Sequence, residues 1–228
     1  MTQEPTTIYQ DGTYLAHNQS WHAEDSPWKA RQIEKLFAKN NLDPLTVCEV
    51  GCGAGEILRQ LSQNTRETRY FGYELSPQAL ELCRSRETDR IKFFGRSILE
   101  EDVRFDCLLC IDVFEHVEDY FGFIRGLRDK AKYKVFHIPL DINMLSIVRG
   151  GLMAARDAIG HIQYFTPETA IATLEDCGYE IIDGFYTMKE PTTFKGLLAK
   201  LPRKLLFAIS PLWLSRLLGG CEYIVLAR

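Results

Sequence analysis

Apolar and polar positions along this chain follow two periods in alternation. Compact apolar runs at 45–50 (LTVCEV), 69–75 (RYFGYEL), 91–94 (IKFF), 105–112 (FDCLLCID) and 134–138 (KVFHI) have the character of strands in a buried sheet. Between them the apolar residues space out at helical intervals, in EILRQLSQN at 56–64, QALELCRSRE at 78–87 and a segment near 120–129. Boundary residues support the division. Ser26 ahead of Pro27 reads as the cap of a helix to about Lys39, and Ser76 ahead of Pro77 stops the second strand and starts a helix. Thr166 ahead of Pro167 caps a helix that ends at Gly178. Pro139 closes the fifth strand, and two more strands, YEIIDGFY at 179–186 and EYIVLA at 222–227, come late.

This order predicts an α/β fold with a mostly parallel seven-stranded sheet, helices on both faces, and a single domain over 1–228. A 46% apolar composition suffices for one full core. The formal net charge of −4 gives no basic field of the kind that holds a protein on nucleic-acid phosphates, so no nucleic-acid partner is expected. The first 22 residues are polar and lack the charged and apolar regions of a secretion signal. No apolar run nears the roughly 18 residues of a bilayer span, which makes a cytoplasmic location the expectation. Seven cysteines scattered through apolar runs suit buried, reduced thiols better than a disulfide framework. Cys107 and Cys110 have CxxC spacing, but side chains three apart on a strand face opposite sides. No metal or redox pair is expected there, and no metal ligand set elsewhere.

The stretch VCEVGCGAGEIL at 47–58 puts three glycines within five positions where the first strand turns into a helix. That place is the carboxyl end of the sheet, the edge at which open α/β folds bind ligands. Glycine there lets a ligand approach the backbone, and the N–H groups of the helix start face it. The dinucleotide fingerprint G-x-G-x-x-G needs its third glycine at position 56, where Glu56 stands. The pattern present is Glu49-Val50-Gly51-Cys52-Gly53-Ala54-Gly55, and it resembles the first motif of the class I methyltransferases that use S-adenosylmethionine. Three downstream matches extend the resemblance over about 26–138. Glu74 ends the second strand 21 residues beyond Gly53, GRSILE follows the third strand, and CIDVFEHVED ends the fourth with Asp112 and, four residues on, His116.

The resemblance implies a Rossmann-like, doubly wound sheet with an antiparallel last strand, and S-adenosyl-L-methionine as cofactor. By it, Gly51, Cys52, Gly53 and Gly55 line the methionine and ribose part, with Glu49 near the cofactor's amino group. Glu74, with Leu75 beside it, takes the ribose, a diol that one carboxylate suits because it accepts two hydrogen bonds at once. Ser97 and Ile98 fall at the adenine, Ser97 where the family usually has an acid, and Asp112 and Val113 complete the cofactor wall.

A hydroxyl acceptor also needs a base within hydrogen-bond reach. His116 and His161 are the expected catalytic residues, after the fourth and fifth strands. His137 reads equally as a satisfied core histidine or a site residue, and His17 has no supporting context. His22 and Tyr164 are expected to face the acceptor, His22 from a lid formed by 1–25 in which Trp21 shares. Trp28 reads as a hydrophobic staple at the helix entrance. Segments 139–165 and 190–220 are expected as substrate-cap insertions. Within the second, 194–218 carries five basic residues and no acidic ones among Leu, Phe and Trp213, broken into short pieces by Pro202 and Pro211. That composition fits an interfacial membrane helix, a pocket cap or a dimer surface. The cap is the expectation, because the following strand tethers both ends near the pocket. The function expected is methyl transfer to the oxygen or nitrogen of a small-molecule, sugar-linked or lipid-linked acceptor. The alternatives are a catalytically silent module that binds S-adenosylmethionine and, disfavoured by Glu56, a nicotinamide-dependent oxidoreductase.

Overall fold

The computed structural model describes residue 21, residues 23–188 and residues 194–228, with side chains from 202 onward in the last span. Its elements run α1 (Ser26–Lys39), β1 (Thr46–Val50), α2 (Glu56–Asn64), β2 (Arg69–Tyr73), α3 (Pro77–Arg84), β3 (Ile91–Phe94), β4 (Phe105–Ile111) and α4 (Tyr120–Gly126). They continue with β5 (Ala131–Pro139), α5 (Met144–Arg149), α6 (Gly151–Ile159), α7 (Pro167–Asp176), β6 (Ile181–Thr187), α8 (Phe194–Ile209), α9 (Pro211–Leu217) and β7 (Glu222–Ala227). The strands form one sheet in the order β3-β2-β1-β4-β5-β7-β6. All pairs from β3 to β5 are parallel, and β7 enters antiparallel between β5 and β6. This is the doubly wound sheet with an antiparallel last strand that the resemblance implies. Strand order reverses between β1 and β4, which opens a crevice at their carboxyl ends.

Period-two alternation along β4 sorts the core. Leu108 and Cys110 point into an apolar layer with Phe136, Ile124 of α4 and Leu174 of α7. Cys107, Leu109 and Ile111 point into the opposite layer, with Ile33 and Leu36 of α1 and Leu58 and Leu61 of α2. Cys107 and Cys110 therefore lie on opposite faces, and all seven cysteines are free and buried. A smaller cluster of Leu140, Leu214 and Cys221 seats α9 against the start of β7.

The local structure departs from expectation in four places. A 3-10 turn at Ala23–Asp25 runs directly into α1, so Ser26 is its first helical residue rather than its cap. β5 starts at Ala131 and takes in Pro139, which its missing N–H permits at the strand end opposite Glu222. α8 continues through Pro202, so 194–218 forms one long helix and one short one, with only Pro211 starting a new helix. Finally, α5 and α6 arise in 139–165, where no element was expected. Neither has a buried residue, and the apolar Met144, Ile147 and Val148 of α5, at helical spacing, and Met153 of α6 are exposed. Among the described residues no helix is long and apolar enough to cross a membrane.

Glu56 opens α2 and ties it to the end of α3. Its carboxylate accepts from Arg59 at 2.8 Å, from Gln60 at 2.7 Å and from Arg86 at 2.8 Å. Burial pushes the Glu56 carboxyl up, but these donors outweigh it and hold the group at about 2 instead of 4.5. A depressed carboxyl stabilises the fold above its unfolded value and loses that stabilisation as pH falls through the folded one. The urea midpoint of Glu56→Gln should therefore lie below that of the unsubstituted protein near neutral pH, and the gap should close between pH 4.5 and about 2. A gap of constant size down to that pH would refute the assignment.

Candidate active site

Past β1 the chain crosses Gly51, Gly53 and Gly55 with φ of 63°, 53° and 75°, the left-handed region that glycine enters without cost from a Cβ. Gly51 N and Cys52 N donate to the Tyr73 carbonyl at 2.8 and 3.2 Å, which fixes this loop against the end of β2. The glycines serve different contacts. A Cβ on Gly51 would lie 2.8 Å from Val113, and one on Gly55 would lie 2.4 Å from Phe93. On Gly53 it would meet nothing nearer than 3.9 Å, at the Trp21 carbonyl. Packing explains Gly51 and Gly55, while Gly53 borders open space. Just past β2, Glu74 accepts from the N–H groups of Gly53, Leu75 and Ser76, each at 2.8 Å. Burial raises its carboxyl in spite of these donors.

The loop forms one side of a cavity of about 580 Å³. Glu49, Gly51, Cys52 and Gly53 border it from β1, and Glu74, Leu75, Ser97 and Ile98 from the ends of β2 and β3. Asp112, Val113 and His116 border it after β4, with His161 beside His116. Ser97 caps the 3-10 turn Ile98–Glu100 by accepting from Leu99 N at 3.2 Å. Two expected site residues stand back. Gly55 packs on Phe93, and Tyr164 donates to the carbonyls of Leu152 and His161 at 3.0 and 2.9 Å, so it holds the turn that carries His161. His22, His17 and most of the expected lid lie outside the described residues. Trp21 borders the cavity beside Gly53, and Trp28 sets its ring edge-on to His137 at 5.8 Å.

Asp112 centres the charges of this wall. Its backbone sits at φ 54°, unusual for a residue with a side chain. Its carboxylate contacts His137 Nδ1 at 2.6 Å and Lys29 Nζ at 2.6 Å. Burial pushes the Asp112 carboxyl up, but Lys29 and His137 overrule it and leave the group well below the usual carboxylate range. His137 is a core histidine with partners on both nitrogens, Nε2 lying 3.1 Å from Thr187 Oγ1. Burial pulls its imidazole down, while Asp112 and Glu222 outweigh that and raise it. Lys29 has no signal in the sequence, since one lysine on a helix face is ordinary. Glu49, only 2% exposed, has no hydrogen-bond partner for Oε2 among the described residues, and burial pushes its carboxyl well up.

A second group occupies the far side. Glu115 is fully buried, and neither of its carboxyl oxygens has a hydrogen-bond partner among the described residues. Burial and the charge of Asp112 push this carboxyl well up. His116 Nδ1 lies 3.0 Å from the Gly160 carbonyl, and His161 Nδ1 lies 2.6 Å from Asp141 Oδ2. The rings meet edge-on at 4.9 Å, and burial with the neighbouring His161 lowers His116 to about 4. The Glu115 carbonyl accepts from Ile162 N and Gln163 N at 2.9 and 3.0 Å, which holds the His161 segment in place. Sequence reasoning named both histidines but passed over Glu115 and Asp141.

With this geometry in view, likeness to known proteins becomes decisive. Residues 21–183 match the methyltransferase-domain family. The chain belongs to that family. Methyl transfer is accordingly its class of reaction. The ubiquinone biosynthesis O-methyltransferase of Rickettsia bellii is 25% identical over 162 residues, 65% of this chain and 68% of that protein. The enzyme of the same description from Rickettsia typhi is 27% identical over 176 residues, 75% of this chain and 71% of that protein. Among solved structures, the magnesium protoporphyrin IX methyltransferase of Synechocystis PCC 6803 with bound S-adenosylhomocysteine is 14% identical. It superposes with a TM-score of 0.66 over 97% of this chain and 98% of that one. An N-methyltransferase of Bradyrhizobium japonicum in complex with S-adenosylhomocysteine gives 0.63 at 15% identity over 99% of this chain and 98% of its own. These two share the fold of this methyltransferase.

The Asp112–His137 contact predicts a titration. A raised imidazole contributes stability that is complete below its unfolded value of 6.5 and is lost as pH rises through the folded value. An NMR titration should show His137 protonated above pH 6.5, and Asp112→Asn should bring its midpoint below that, where burial acts without the facing charge. A midpoint that Asp112→Asn leaves in place would remove the carboxylate as the cause.

Proposed function

We propose that this methyltransferase moves a methyl group from S-adenosyl-L-methionine to an oxygen of a small-molecule acceptor. The observation that carries the reading is the buried Glu49 Oε2, on a residue that borders the cavity beside the glycine loop and without a hydrogen-bond partner among the described residues. An ammonium group satisfies such an oxygen by charge-assisted hydrogen bonding. The open space over Gly53 fits the methionine and ribose portion, and Glu74 is placed for the ribose diol. Ser97 and the buried Ile98 then fall at the adenine. When bound, S-adenosylmethionine supplies a methyl group on a positively charged sulfonium. The protein's part is chiefly to hold acceptor and methyl in line, an effect worth up to roughly 7–11 kcal/mol. Glu115, His116 and His161 form the corner where the acceptor hydroxyl is held and loses its proton. The curated relatives described as O-methyltransferases support oxygen over nitrogen.

Segment 139–165 serves as the acceptor-side wall of a single domain, through Ile159 and His161. None of the described side chains of 202–218 borders the cavity, so that stretch acts from behind the wall. One observation favours an acceptor with an apolar, lipid-like extension. Met144, Ile147, Val148 and Met153 on α5 and α6 are exposed, as are Ile209 and Trp213 in the chain's later helices. Turnover on a phenol should then rise when a long alkyl chain is attached to it, and equal turnover on both forms would count against the extension.

Calorimetry should show S-adenosylhomocysteine binding in the micromolar range and no binding of NAD. Glu74→Ala removes a ribose acceptor and also releases Gly53 N, so affinity should fall about 10- to 100-fold, at about 1.5–3 kcal/mol per charge-assisted bond. Gly53→Val should cost more, because its φ of 53° strains a branched residue and its side chain enters the ligand space. Unchanged affinity in Glu74→Ala would place the ribose elsewhere.

A further inference from the structure

Glu115, His116 and His161 each bring one ligand atom to within 4.8 Å of the others, at the cavity wall. His116 Nε2 is 3.8 Å from Glu115 Oε1. These separations approach those of atoms held about 2 Å from a shared ion. The hydrogen bonds behind the rings fix their chemistry. A carbonyl only accepts, so His116 Nδ1 carries the proton that goes to Gly160, and its lone pair is on Nε2. His161 Nδ1 likewise donates to Asp141, which leaves the lone pair on its Nε2. A carboxylate or carbonyl behind each imidazole is the arrangement that orients metal-ligating histidines and raises their basicity. The independent sign is Glu115. A carboxyl with 0% exposure and with no hydrogen bond to either oxygen among the described residues is costly to bury, unless something in the cavity satisfies it.

We infer that Glu115, His116 and His161 form a binding site for one divalent first-row transition-metal ion, which activates the acceptor hydroxyl. Two imidazoles and one carboxylate suit such ions better than calcium or magnesium, which prefer all-oxygen sets. Three protein ligands facing a cavity leave a coordination position for the acceptor oxygen, as catalytic rather than structural sites do. There the cation lowers the pKa of the acceptor hydroxyl, which gives its proton to water. The acceptor oxygen then forms its bond to the methyl carbon as the carbon–sulfur bond breaks, and that electron pair stays on sulfur. The histidines act as ligands, so neither takes the acceptor's proton. This use of the corner rests on the proposed methyl transfer, whereas the ion site itself rests on the geometry alone. It replaces the expectation of a metal-free site.

The full chain, stripped with EDTA and dialysed, should be titrated with ZnCl2 and MnCl2 by calorimetry, with free Mn2+ also followed by electron paramagnetic resonance. One equivalent should bind. Glu115→Gln and His161→Ala should weaken uptake at least 10-fold, and Asp141→Asn, which touches no ion, by about 10- to 100-fold through the orientation of His161. Circular dichroism checks folding. If Glu115→Gln does not fold, His161→Ala and Asp141→Asn decide. No uptake by the stripped protein, or uptake unchanged in the folded variants, overturns the site. S-adenosylhomocysteine is titrated in parallel. Its binding without any cation uptake overturns the ion site and leaves the methyltransferase reading in place, while cation uptake without it keeps the site and overturns that reading.

Discussion

The contact of half-buried Asp112 with Lys29 and the buried His137 is the constraint around which the ligand-facing edge is arranged. Asp112 leaves β4, Lys29 comes from α1, and His137 lies on β5, so one carboxylate joins three elements at distances of 2.6 Å. His137 extends the contact to Thr187 at the end of β6 and to Glu222 at the start of β7, 3.4 Å away. Two cations and two anions balance in this group once His137 is protonated. Removing one partner from such a half-buried set leaves a charge uncompensated, at less than the roughly 3–5 kcal/mol of a fully buried pair because solvent screens part of it. The left-handed backbone of Asp112 is therefore held by charges on several sides. Because β7 is antiparallel, its first residue meets the last residues of β5, and this brings Glu222 into reach.

Around this balanced group the cavity carries an excess of acid. Glu49, Glu74 and Glu115 all border it, and burial raises the carboxyl of each. Glu74 has three backbone donors, whereas Glu49 and Glu115 have oxygens with none among the described residues. A protein that buries unsatisfied carboxyls forgoes stability unless a ligand supplies the missing partner. Both orphaned groups border the cavity, Glu49 on β1 ahead of the glycine loop and Glu115 beside His116 after β4.

What the sequence made legible was local. The glycine loop, Glu74 and Asp112 each stand at the turn after a strand, and spacing along the chain locates such turns. The apolar runs marked the strands, and the antiparallel β7 is the one the family resemblance implies. The misreadings have physical causes. Pro202 lies inside α8, which runs on past the one hydrogen bond it removes, and α5, with six residues, is too short for its Met144, Ile147 and Val148 to mark a helix in a pattern read over longer windows. Lys29, Glu115 and Asp141 gain meaning only from partners distant in sequence or from burial, and neither is visible in a run of letters. Tyr164 was placed on the correct turn, but its hydroxyl bonds backbone carbonyls, so it serves the turn instead of the cavity.

Asp141 also explains how the basic, apolar stretch after 194 bears on a site it does not border. Leu140 is buried against Leu214 of α9 and Cys221, and its N–H donates to the Cys221 carbonyl at 3.2 Å. The next residue is Asp141, whose carbonyl accepts from Asn143 Nδ2 at 3.0 Å and from Ser146 Oγ at 2.5 Å. Its carboxylate is thereby aimed at His161 from a backbone fixed on both sides. Arg203 reinforces the same corner by donating to the carbonyls of Leu218 and Gly219 behind α9. A cap that covered the cavity directly would exclude water by contact. Here the later helices instead stiffen the residue that orients an imidazole, and an imidazole misdirected by an ångström loses most of its use as a ligand or a base.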